Sequence, residues 1–152
     1  MEHKIEFIQT EFTELVSSLN VTSTSNWGKM NAQQMVEHIT DFFKVSTGKV
    51  LFPLITPIEH LPKYKEFLLS DKTFKENTKA PVLPEEPFVT RNITMQNAIE
   101  ELKTETNEFF NFFKENKLKT TLHPAFGELN FDEWVLLHYK HLHHHAKQFG
   151  LI

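Results

Sequence analysis

The 152-residue chain contains no cysteine. That absence excludes disulfides, thiolate metal sites and a cysteine nucleophile together. Glycine is scarce, at four residues, so long helices joined by few tight turns are expected. There is no basic excess: sixteen Lys plus Arg stand against twenty Asp plus Glu, a net charge of −4 with histidine neutral. Neither nucleic acid nor an acidic membrane surface is therefore an expected partner. No apolar run approaches a membrane span, and the opening MEHKIEFIQTEF has no secretory apolar core, so a cytoplasmic protein is expected. The length predicts a single domain over residues 1–152. A domain of that size buries about 68–70% of its unfolded surface and needs no covalent staple.

What the chain does have is aromatic bulk and imidazole. Phenylalanine accounts for 15 residues and histidine for nine, five of the latter between positions 138 and 145. Ile5, Ile8, Phe12, Leu15, Val16 and Leu19 recur at three- and four-residue spacing, which predicts a first helix over 2–19. A second is predicted over 31–47, opened by Asn31 with Gln34 three residues on and stopped at Gly48. Six of the seven prolines lie between 53 and 87. They leave room for one short helix near 58–69 and mark 49–91 as a crossover within one domain. A third helix is expected over 94–116 and a fourth from Asn130, with Glu133 as its capping partner, ending before Gly150. No strand stands out. The pattern is that of an all-α four-helix bundle with a long crossover between helices 2 and 3.

On a wheel of about 100° per residue with His138 at zero, Phe131, Trp134, Val135, Leu142 and Phe149 define the apolar stripe of the last helix. His145 falls near −20° and His141 near about −60°, on that stripe, whereas Lys140, His143 and Lys147 fall opposite and His144 toward the edge at about −120°. His141 and His145 stand one turn apart, the spacing at which two imidazoles can share one metal ion. His38 sits between Met35 and Phe42 on the inward stripe of the second helix and is the natural third ligand. Taken singly, an inward histidine is more often a satisfied core residue; the convergence of three is what raises the metal reading. The HHH run is no tag remnant, because a capped helix contains it and AKQFGLI follows.

Asp41, about 60° from His38 on its wheel, is a candidate for orienting an imidazole or acting as a general base; the plainer reading is a solvated helix-face residue. Gln34 reads better as a capping partner than as a site residue, and His138 as packing beneath the site. Phe110 and Phe112 exceed what one inward stripe requires and suggest a homodimer surface. His3, His60 and His123 have no partners at recognisable spacing. No nucleophilic serine arrangement and no phosphate-cradling glycine loop is present.

Residues 24–38, TSNWGKMNAQQMVEH, and 123–149, HPAFGELNFDEWVLLHYKHLHHHAKQF, together resemble the DinB-like superfamily of metalloenzymes. The resemblance implies a four-helix bundle of up-down-down-up topology. It implies a metal triad of one histidine on the second helix and an H-x-x-x-H pair followed by x-x-Gln on the last. Those slots fall on His38, His141, His145 and Gln148. Members with assigned activity include thiol-dependent S-transferases and a thiol-dependent isomerase, and others are described as metal-dependent hydrolases.

The expectation is accordingly a metal-dependent hydrolase or thiol S-transferase. It would act on a small molecule, with a low-molecular-weight thiol as a candidate co-substrate, through one divalent ion on His38, His141 and His145. Zinc or nickel suits such ligation best, with iron or manganese as alternatives. The competing expectation is a non-catalytic ligand- or protein-binding bundle whose metal site is vestigial or empty.

Overall fold

The computed structural model describes residues 1–152 and is mostly helical, with one two-stranded sheet. The chain opens with α1 (Glu2–Glu6), a π-helical stretch (Phe7–Glu11) and α2 (Phe12–Val16), which run on without a break in helical backbone angles. Phe7, Ile8, Phe12 and Val16 form their buried face. The helix stops at Val16, short of the expected Leu19. There the backbone tightens, with the Ser18 and Leu19 N–H groups bonding three residues back to Leu15 and Val16 at 3.2 and 3.0 Å, while the Ser17 and Ser18 hydroxyls also donate to the Thr13 and Leu15 carbonyls, each at 2.7 Å.

Both predicted capping boxes form. In α3 (Ala32–Ser46) the Gln34 N–H donates to Asn31 Oδ1 at 2.8 Å, and the Asn31 N–H to Gln34 Oε1 at 2.9 Å. In α6 (Phe131–Gln148) the Glu133 N–H donates to Asn130 Oδ1 at 3.1 Å, and the Asn130 N–H to Glu133 Oε2 at 3.0 Å. Each such cap stabilises its helix start by about 1 kcal/mol and, more usefully here, fixes the phase at which the histidines emerge.

α5 (Met95–Phe113) packs most extensively against α3, while α6 touches α1, α2, α3 and α4 (Leu61–Leu69). Between them lies an aromatic core in which Trp134, Phe12, Phe43, Phe109 and Phe113 are fully buried. Phe109 alone meets Phe43, Phe113 and Phe131 with ring centroids 5.4–5.8 Å apart. Phe110 and Phe112, expected to be left over, are both partly buried against this core.

The crossover from α3 to α5 carries a 3₁₀ turn (Ile58–His60) and α4 (Leu61–Leu69), whose first turn contains a proline. Its remainder is tied down at both sides. Lys140 Nζ donates to the carbonyls of Ser70 and Lys72, at 2.6 and 2.5 Å. Glu37 accepts from the backbone N–H groups of Arg91 and Asn92, at 2.7 and 3.3 Å. Lys140 is consequently only 8% exposed, against its expected place on a polar face: the crossover covers a side of α6 that an isolated wheel leaves to solvent.

A short antiparallel hairpin, β1 (Thr121–His123) with β2 (Gly127–Leu129), was not legible in the sequence and replaces the expected linker. It docks through Thr121, which donates to the Ser46 carbonyl at 2.8 Å and accepts from Trp134 Nε1 at 2.8 Å. The all-α expectation therefore stands for the main elements only.

Candidate metal centre

His38 comes from the middle of α3, and His141 and His145 from successive turns of α6. Their Nε2 atoms converge: His141 lies 2.9 Å from His38 and 3.1 Å from His145, and all three nitrogens fall within 4.8 Å of one another. This is the grouping expected from the wheels. Imidazole nitrogens bound to one zinc at 2.0–2.1 Å stand about 3.3–3.4 Å apart, so the two pairs that His141 makes are near that spacing, while the set as a whole reaches 4.8 Å and would draw in around a shared ion.

Burial keeps the donors in the form a metal needs. It pushes His38 down to about 4, with the neighbouring His144 adding to the effect. Burial likewise holds His141 and His145 well below the ordinary imidazole value, reinforced by repulsion from the other histidines. At neutral pH all three are uncharged, with a lone pair available. A neutral cluster cannot satisfy itself fully, because one proton on His141 Nε2 can serve only one of its two neighbours well. A cation accepting a lone pair from each ring suits the set, and the cluster can hold a metal ion.

The surroundings are largely aromatic. Phe42 sits edge-on to His38 and His141 with centroids 5.2 and 5.3 Å away. Trp27 and Phe74 flank His144, at 5.5 and 6.0 Å. A surface cleft of about 290 Å³ opens between Trp27, Phe74, His143 and His144. Asp41 does not bond to any of the three rings. It pairs with Arg91 at 3.0 Å, and Arg91 also holds Glu101 at 2.6 Å. Burial raises the Asp41 carboxyl, and the Arg91 charge opposes that rise.

Of the remaining histidines, His144 stands edge-on to His145 with ring centroids 5.1 Å apart, whereas His138, His123 and His143 serve other contacts. His138 is fully buried and stacks on Phe43 at 4.0 Å. Ser46 Oγ, which donates to the Phe43 carbonyl, accepts from its Nε2 at 3.1 Å, while its Nδ1 has no partner. His123, which had no assigned role, is buried at the hairpin turn. Its Nδ1 accepts from the Ala125 and Phe126 N–H groups at 3.0 and 3.2 Å, so it braces the turn. His143 packs on Phe7 and Tyr139.

Sequence reasoning also missed the clamp behind His145. Its Nδ1 lies 2.6 Å from Gln148 Oε1, and Gln148 Nε2 donates to the Trp27 carbonyl at 3.0 Å. The x-x-Gln after the pair and the Trp-Gly of the N-terminal half were the available signals; their meeting across 121 residues was not.

Fold and site define a mostly helical protein with a buried three-histidine cluster able to hold a metal ion. The chain belongs to the family described as Protein of unknown function (DUF1569), whose family model matches residues 3–150 and so spans every element of the site. No curated protein and no solved structure matches the chain.

Proposed function

We propose that the protein is a metal-dependent enzyme, a hydrolase or thiol S-transferase, acting on a small molecule. Its scaffold on this reading is a DinB-like four-helix bundle of up-down-down-up topology, with α1–α2, α3, α5 and α6 as the four helices. The observation that carries the proposal is the convergence of three neutral Nε2 donors with no carboxylate bonded to any of them. Three protein ligands are the number that leaves a coordination position for substrate, whereas closed structural sites use four.

His38, His141 and His145 would hold the ion, with zinc or nickel the best match and iron or manganese able to occupy the same donors. A divalent ion there would supply Lewis acidity that lowers the pKa of water or a thiol, and so a nucleophile that the cysteine-free chain lacks. Phe42 shields one side of the cluster from water. Asp41, three residues beyond His38 on α3 and raised by burial, is the candidate for moving a proton, with Arg91 paired to its carboxylate.

Metal analysis of tag-free protein tests the reading. Wild type reconstituted with zinc, nickel or manganese should retain close to one ion per chain, and His141→Ala should retain almost none. Wild type that stays metal-free under all three conditions refutes it and leaves a non-catalytic binding bundle.

A further inference from the structure

Gln148 is 3% exposed and lies one turn beyond His145, so its amide can reach the imidazole only from the side away from the cluster. Its two ends have different obligations. The Trp27 carbonyl can only accept, so the amide must present NH₂ to it, at 3.0 Å. That leaves Oε1 facing His145 Nδ1 at 2.6 Å, and an amide oxygen can only accept. The imidazole must therefore carry its proton on Nδ1, which leaves Nε2 with a bare lone pair aimed at His38 and His141.

The turn that supplies the carbonyl is built for this contact. Asn26 fastens it to the end of α6, its N–H donating to the Gln148 carbonyl at 2.7 Å and its side chain to Lys147 at 3.2 Å. Gly28 follows with φ of +80°, and a Cβ there would stand 2.8 Å from Gln148 Nε2. Only glycine both adopts that backbone and leaves room for the amide.

We propose that Gln148 is a positioning residue: the Trp27 carbonyl orients its amide, and the amide locks His145 in the Nδ1–H tautomer, with Gly28 providing the space. The relay acts without any change of charge. It rests on the metal reading for its purpose, since a bare Nε2 is what a ligand must offer. Its existence is measurable without metal.

The test is the tautomer of His145 in chelator-treated protein, read from the ring ¹⁵N shifts. Wild type should show a proton on Nδ1 and none on Nε2. Gln148→Leu, which can accept nothing, should give a tautomer mixture and bind zinc about 10–100-fold more weakly. Gln148→Glu still accepts from Nδ1–H, so it should keep the wild-type tautomer although it loses the bond to Trp27; a purely structural role would be lost equally in both variants. Gly28→Ala should behave like Gln148→Leu. The proposal is overturned if wild-type His145 carries its proton on Nε2, or if the Leu and Glu variants have the same tautomer. Wild type that binds no zinc would refute the metal reading instead, and the metal-free spectra would still decide the relay.

Discussion

Acid should unfold the metal-free protein through its buried imidazoles. Burial pushes His38 down to about 4 and His123 and His138 down to about 3, against about 6.5 in an unfolded chain. A folded-state value below the unfolded one means that the unfolded chain takes up the proton first. The stability these groups contribute is complete above about pH 6.5 and is lost as pH falls toward the folded values. At pH 5.5 each of the three costs about 1.4 kcal/mol, about 4 kcal/mol together, and His141 and His145 act in the same direction. That is a large share of the roughly 5–15 kcal/mol that holds a domain together. With a urea dependence of about 2 kcal/mol per molar, the unfolding midpoint should fall by roughly 2 M between pH 7 and 5.5. Circular dichroism at 222 nm on chelated protein reads this directly. His138→Phe keeps a ring stacked on Phe43 and removes one titrating group, so it should shrink the shift. A midpoint that moves by less than about 0.5 M would show that these imidazoles are not held neutral by the fold.

Alanine at His38, His141 or His145 should abolish most zinc binding by calorimetry, whereas His143→Ala and His144→Ala should leave it nearly unchanged. If His145→Ala keeps the metal and His144→Ala loses it, the register of the site is wrong. Zinc at about 100 times its dissociation constant should stabilise wild type by about 2.7 kcal/mol in thermal or urea melts. Its affinity should decline below about pH 6 as protons compete for the rings. Lys140→Met should cost about 1–3 kcal/mol, because the carbonyls of Ser70 and Lys72 lose their donor. Zinc affinity should hold within a few-fold in that variant, and a large loss would show that the crossover shapes the cluster.

The histidine cluster was legible because both of its helices carry a clear apolar stripe: Met35 and Phe42 frame His38, and Trp134, Leu142 and Phe149 mark the side of the last helix on which His141 and His145 fall. Features made by distant chain segments were hidden from such periodicity. Lys140 sits at a solvent-facing wheel angle and is buried because the crossover passes over it. The hairpin has strands of three residues each, too short for an alternating pattern, and its stability comes from Thr121 docking on Ser46 and Trp134. Gly28 reads in sequence as the end of a polar linker; its reason for being glycine lies on a side chain near the other end of the chain.

His38 and His141 are separated by 103 residues. An ion gripping both would close a loop of that length, as a disulfide does in a secreted protein. For a disulfide, a loop of about 100 residues corresponds to about 4.7 kcal/mol of denatured-chain entropy, if the unfolded chain keeps the link. Imidazoles in an unfolded chain let go, so the ion would act on the rate of opening rather than as a permanent tether. A loaded molecule should therefore unfold slowly and in proportion to how rarely it releases metal. Thiol reductants, which open disulfides, would have no purchase on this cross-link.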